Sequence, residues 1–173
     1  MNIPRIGVII PAYNEEESIP KVLQAIPQKW VEEVVVVNNN SKDQTAQAAE
    51  KAGATVLNET KQGYGAACLK GLRYFEAKES SPEIIVFLDA DYSDHPEELP
   101  IVVKPILEQN MDLVIGSRAL GNRERGSMTI PQIIGNKIAS IMLRVLYGAR
   151  FTDLGPFRAV SWEALMKIGM VDE

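Results

Sequence analysis

Short β-branched runs, each closed by a polar loop and followed by apolar residues at helical spacing, recur along this 173-residue chain and constrain its fold more than any other feature. Ile6-Gly7-Val8-Ile9-Ile10 reads as a strand buried on both faces and stopped by Pro11. Ser18 then stands at the N-cap of a short helix carrying Ile19, Val22, Leu23 and Ile26, with Pro27 closing it. The same grammar returns with Val34-Val35-Val36-Val37, the polar stretch Asn38 to Lys42, and a helix from about Asp43 to Ala52 that Gly53 terminates. A third strand near Thr55-Val56-Leu57, a helix from Gly65 toward Lys78 and a fourth strand Ile84-Ile85-Val86-Phe87-Leu88 continue the alternation. A helix beginning near Pro96 and a fifth strand, Leu113-Val114-Ile115, complete it.

Strands alternating with helices predict an α/β fold with parallel pairing, and such sheets bind ligands beyond the carboxyl ends of their strands. The loops at those ends are polar here. From Gly116 to Gly135 the alternation stops; Gly121-Asn122-Arg123-Glu124-Arg125-Gly126-Ser127 reads as a loop, and an apolar helix from Ile138 to Tyr147 follows it. No internal repeat or second domain boundary interrupts the chain, so one domain is expected, and 46% hydrophobic residues suffice to build its core.

The net charge of −5 argues against a nucleic-acid binder, whose footprint is a basic face. Cys68 stands alone, which excludes an internal disulfide and a cysteine zinc site and fits a reducing compartment. The N-terminus has no signal pattern, and no apolar run approaches the roughly 20 residues of a membrane span, so a soluble cytoplasmic chain is expected.

Asp89 and Asp91 flank Ala90 directly after the fourth apolar run. Two carboxylates at a strand end suit Mg²⁺ or Mn²⁺, which take hard oxygen ligands and let substrate phosphates complete their shell; the alternative is that both Asp residues cap the following turn. The amide of Asn39 both donates and accepts, as a nucleobase edge requires, and Tyr13 offers a contact face, although Asn, Ser and Asp43 also suit turns and caps. Gln62-Gly63-Tyr64-Gly65 follows the third strand, not the first, so a dinucleotide fingerprint is rejected; Gly63 still opens a helix whose N–H groups suit phosphate or sugar hydroxyls. Arg118 after the fifth strand is placed to bind phosphate as a bidentate fork, while Arg123 and Arg125 read equally as solvated surface groups. His95 beside Pro96 reads as a helix start, and Cys68 as a small core residue.

Ile10-Pro11-Ala12-Tyr13-Asn14-Glu15-Glu16, Val37-Asn38-Asn39-Asn40-Ser41-Lys42-Asp43-Gln44-Thr45, Phe87-Leu88-Asp89-Ala90-Asp91 and Ile115-Gly116-Ser117-Arg118 together resemble the family 2 glycosyltransferases, nearest to the dolichyl- or polyprenyl-phosphate mannosyl- and glucosyltransferase branch. The resemblance runs from Ile6 to about Ala164. It implies a three-layer α/β/α, Rossmann-like GT-A fold with a mainly parallel central sheet, divided into a nucleotide-sugar-binding half (1–116) and a partial acceptor half (117–173). The implied chemistry is inverting transfer from a nucleotide diphosphate sugar, with a divalent metal. The acceptor of that branch is a polyprenyl phosphate at the cytoplasmic face of the membrane, in cell-envelope glycan or glycolipid synthesis.

By the same resemblance Pro11, Tyr13, Glu15 and Asn39 look like base and ribose contacts, and Asp89 and Asp91 like the ribose and metal ligands. Asp153, in Phe151-Thr152-Asp153-Leu154-Gly155-Pro156-Phe157-Arg158, looks like part of the acceptor side, where Arg118 and Arg125 face an acceptor phosphate. Two departures stand out. Asn38-Asn39 replaces the usual Asp pair, and the chain ends at Glu173, where relatives continue into a segment covering the acceptor, which reads as a C-terminal truncation. The rival readings are a sugar-phosphate nucleotidyltransferase, against which Pro11 to Glu17 lacks glycine and basic residues, and a non-catalytic nucleotide-binding or scaffolding module. Donor sugar, base and oligomeric state are left open.

Overall fold

A computed structural model describes residues 4–116 and 155–170. The chain divides into two compact units, Met1–Val114 with Phe157–Glu173, and Ile115–Pro156. The first carries all that follows.

Six strands form one sheet: β1 (Ile6–Ala12), β2 (Glu33–Asn38), β3 (Thr55–Asn58), β4 (Ile84–Phe87), β5 (Leu113–Ile115) and β6 (Arg158–Ser161), in the order β3-β2-β1-β4-β6-β5. Strands β1 to β4 pair in parallel, whereas β6 enters antiparallel to β4, with Phe87 opposite Arg158. The helices are α1 (Ile19–Ala25), α2 (Thr45–Lys51), α3 (Tyr64–Glu76), α4 (Leu99–Gln109) and α5 (Trp162–Ile168). Among the described residues no helix is long and apolar enough to cross a membrane.

Alternate strand residues feed two cores. Val8, Ile10, Val36, Ile84, Val86 and Leu88 pack with α1 and α4 on one face of the sheet. Ile9, Val35, Val37, Ile85 and Phe87 pack with α3 and α5 on the other. This period-two division is what a doubly covered parallel sheet requires, and it makes the architecture three-layer α/β/α.

Three sequence expectations are corrected. Pro11 does not stop β1, which continues to Ala12 with Pro11 opposite Val37 of β2. Ile9 O accepts from Leu88 N on the β4 side and Ala12 O accepts from Asn39 N on the β2 side, so the donor that Pro11 lacks faces the side where β4 has already ended. Ser18 occupies the N-cap position of α1 without a capping bond; its hydroxyl donates instead to Glu15 Oε2 at 2.5 Å. The chain after Pro96 begins as a single 3-10 turn, Pro96–Glu98, before α4 proper starts at Leu99.

Candidate functional site

The carboxyl ends of β1, β2, β3 and β4 bring their polar loops to one edge of the sheet. Five hydrogen bonds lace the first two loops together: Asn14 N to Ser41 Oγ (3.0 Å), Lys42 N to Asn14 Oδ1 (2.8 Å), Glu15 N to Thr45 Oγ1 (2.7 Å), Glu16 N to Asp43 Oδ2 (3.2 Å) and Gln44 N to Glu16 Oε2 (2.8 Å). Asp43, two residues before α2, also accepts from the helix's first N–H, Thr45 N, at 3.0 Å. Burial opposes ionisation of Asp43, but the bonds from Thr45 and Glu16 prevail and hold its carboxyl below the usual range. These polar residues build the rim, and they leave the Tyr13 ring exposed, with Pro11 and Glu15 half-buried beside it.

Three of the four non-glycine residues with positive φ in the described chain lie in these loops: Asn14 (56°), Asn40 (67°) and Tyr92 (61°). Asn tolerates this region; a bulky aromatic does so only where its surroundings impose it. Tyr92 directly follows Asp91.

Asn39 is only 7% exposed. Its Nδ2 donates to Glu59 O (3.1 Å) and Lys61 O (2.8 Å), while its Oδ1 accepts from Gly63 N (2.8 Å). Two carbonyls on one side and an N–H on the other fix the amide's orientation. The side chain thereby ties down the loop leading to Gly63, whose φ of 135° starts α3. Asn38 is used in the same way, donating to Asn58 Oδ1 (2.9 Å) and accepting from Ser41 N (3.2 Å). Each amide faces an acceptor that a carboxylate would repel, which explains the Asn pair. N39D therefore costs roughly 1–3 kcal/mol of stability at neutral pH, through carbonyls left without a donor. Because the neutral acid is favoured in the folded chain, the loss shrinks as pH falls toward the ordinary Asp value of about 3.9 and is gone below it; urea unfolding at pH 7 and pH 4 measures it.

At the end of β4 Asp89 is half-buried and Asp91 exposed. Asp91 Oδ1 accepts from Ser93 N at 2.9 Å, so Asp91 does cap its turn, with one carboxylate oxygen. Asp94, 7% exposed and not singled out by sequence, accepts from Asp89 N at 3.3 Å through Oδ2 and closes the turn. Among the described residues no group of three or more His, Cys, Asp or Glu could hold a metal. Two strand-end carboxylates fit Mg²⁺ or Mn²⁺ arriving with a diphosphate, and do not fit a protein-enclosed zinc centre.

Arg158, which no local sequence pattern singles out, is brought to the end of β4 by its pairing opposite Phe87. Its guanidinium sits over the Phe87 ring at 5.7 Å, and its buried Nε has no hydrogen-bond partner among the described residues. Tyr64 is the first residue of α3 and Cys68 lies one turn on. Burial pushes the Cys68 thiol up to about 11, as an inert core residue requires, and the Tyr64 phenol up to about 12. Arg118, Arg125 and Asp153 lie outside the described residues, as do Arg123 and the helix expected from Ile138 to Tyr147.

The Glycosyl transferase family 2 model matches residues 7–169. An uncharacterized glycosyltransferase of Mycobacterium tuberculosis is 36% identical over 169 residues, covering 96% of this chain and 72% of that protein. The undecaprenyl-phosphate mannosyltransferase of Micrococcus luteus is 32% identical, over 96% of this chain and 70% of its own. Among solved structures, glucosyl-3-phosphoglycerate synthase from Mycobacterium tuberculosis, in complex with Mn²⁺, UDP-glucose and phosphoglyceric acid, superposes with a TM-score of 0.71 at 27% identity. That match covers 92% of this chain but 57% of the synthase, so the chain spans little over half the length of the solved protein.

Proposed function

The chain belongs to glycosyl transferase family 2, and from that premise we propose that it moves a sugar from a nucleoside diphosphate sugar to an acceptor phosphate, inverting the anomeric carbon. The observation that carries this reading is the placement of Asp89 and Asp91 at the end of β4, on the sheet edge that also holds the Tyr13 and Gly63 loops.

In the proposed arrangement Pro11 and Tyr13 present a face to the base, and Glu15 and Asp89 accept from ribose hydroxyls. Asn39 holds the Gly63 loop against the donor, and Asp91 is the principal ligand for Mn²⁺ or Mg²⁺. When bound, the metal neutralises charge on the leaving diphosphate. Positioning and charge neutralisation supply the rate. A phosphate oxygen is already anionic as a nucleophile, so no strong general base is needed. Residues 1–116 make the donor half, to which β6 adds Arg158, and Arg118, Arg125 and Asp153 in the acceptor half address the acceptor. The relative from Micrococcus luteus is named for an undecaprenyl-phosphate acceptor, and the synthase was solved with Mn²⁺ and a UDP-sugar. The first supports a lipid-phosphate acceptor and the second a metal-bound sugar nucleotide.

A thermal-shift screen of nucleoside diphosphates with Mn²⁺ tests the donor half. A ligand at 100 times its Kd stabilises by about 2.7 kcal/mol, or roughly 5–10 °C for a chain of this size. Product formation from UDP- and GDP-sugars with a polyprenyl phosphate then tests the transfer. Binding without turnover, in this chain and in any longer form, would leave a nucleotide-binding module in place of a transferase.

A further inference from the structure

We propose that Arg158 and Tyr64 form a positioning pair that holds the Asp89 carboxylate in place at the donor site, an assignment that rests on the donor-site reading above. Neither residue needs to touch the donor. The topology brings them together from three distant parts of the chain: the start of α3, the end of β4 and the start of β6.

The strand pattern supplies the geometry. Arg158 is directly opposite Phe87 in the antiparallel β4–β6 pair, so their side chains share a face. That is the face α3 covers, since Phe87, Val160, Cys68 and Leu72 belong to one core. Beyond Phe87 the alternation persists: Leu88 and Ala90 both join the opposite core. Asp89, between them, therefore shares the Phe87 and Arg158 face, where Tyr64 and Cys68 present the first turn of α3.

The electrostatics agree with this placement. Burial first, and the Asp89 carboxylate after it, raise the titration of the Tyr64 phenol and the Cys68 thiol, while the Arg158 guanidinium lowers both. Tyr64 keeps 43% of its surface exposed, so water screens part of this effect and the positions carry the argument. A half-buried carboxylate loses hydration, and a guanidinium, which does not deprotonate at accessible pH, compensates it permanently. The Phe87 ring fixes the guanidinium plane from one side. Holding Arg158 here leaves its buried Nε–H without an acceptor among the described residues, a cost that stability alone does not explain.

Binding of UDP and of GDP, each with Mn²⁺, is measured by calorimetry for the wild type, Tyr64→Phe, Arg158→Lys, Asp89→Asn and the two double variants with Asp89→Asn. Tyr64→Phe removes one hydroxyl from a half-exposed residue and leaves the melting temperature unchanged, so it stands even if an Arg158 variant fails to fold. It weakens binding about 10-fold, and Arg158→Lys, which keeps the charge but loses the planar fork, 10- to 100-fold. In the Asp89→Asn background each substitution changes affinity less than about 2-fold, because the group they position is already altered. Fully additive losses in the Tyr64→Phe/Asp89→Asn chain overturn the pairing while leaving the donor site standing. Failure of the wild type to bind either nucleotide overturns the donor site itself, and the pairing with it.

Discussion

Asp91→Ala abolishes metal-dependent nucleoside diphosphate binding and leaves the folded chain otherwise intact. Asp91 is exposed at the end of β4, and among the described residues its carboxylate makes one hydrogen bond, the 2.9 Å bond from Ser93 N, so removing it opens no cavity. Loss of that one turn-capping bond at an exposed site costs about 0.5–1 kcal/mol, and the melting temperature falls by about 1–4 °C. The loss of a ligand is another matter. Partners one shell removed from a metal already cost about 10- to 100-fold, so a direct ligand costs on the order of 100-fold or more, and few other carboxylates stand ready to replace it. Calorimetry with Mn²⁺ and UDP or GDP, and product formation on the same protein, provide the readouts. Unchanged affinity with Mn²⁺ would remove Asp91 from the metal role.

Phe75→Ala is expected to cost about 3–5 kcal/mol, a large share of the roughly 5–15 kcal/mol that holds a domain of this kind folded. Phe75 is 2% exposed and packs its ring directly over the central strand at Gly7. A Cβ at Gly7 would lie 2.7 Å from Phe75 Cζ and 2.9 Å from Cε1, so the glycine is there to admit the ring. The Tyr74 ring meets Phe75 edge-on, with centroids 5.6 Å apart. Gly7→Ala in the wild type overpacks the same spot and costs roughly 1–3 kcal/mol. In the Phe75→Ala chain that methyl enters the vacated space, so the two changes together cost less than their sum. Denaturant midpoints at unchanged slope measure all three variants, and strict additivity would break the link between the small residue and the ring.

The second of these results was foreseeable only in outline. A helix from Gly65 toward Lys78 and a strand at Ile6 were readable from spacing, because the periods 3.6 and 2 are local properties of the backbone. That the two elements meet at Gly7 and Phe75 depends on how α3 crosses the sheet, which no local pattern encodes.

The candidate site divides along the same line. Asp89-Ala90-Asp91 after a buried run, the polar loops at Tyr13 and Asn39, and Gly63 before a helix were all legible, since each is a short contiguous motif whose residue types suit its chemistry. What Asn39 does was not. Its amide bonds to Glu59, Lys61 and Gly63, and an Asn that orders a loop has the same name in the sequence as one that reads a base.

By itself, then, the sequence determined the α/β alternation, the edge of the sheet where chemistry belongs, and the membership in a glycosyl transferase family through four motifs in order. Only the tertiary structure decided that β6, four residues long and without a strong apolar pattern, enters between β4 and β5 and runs antiparallel to β4. So short a strand has little intrinsic preference; its place is set by pairing with β4 and by burial of Ala159 and Val160 in opposite cores. That insertion carries Arg158 to Phe87 and the turn at Asp89. Strand order is a sum of contacts between distant segments, and it becomes visible only once those segments have met.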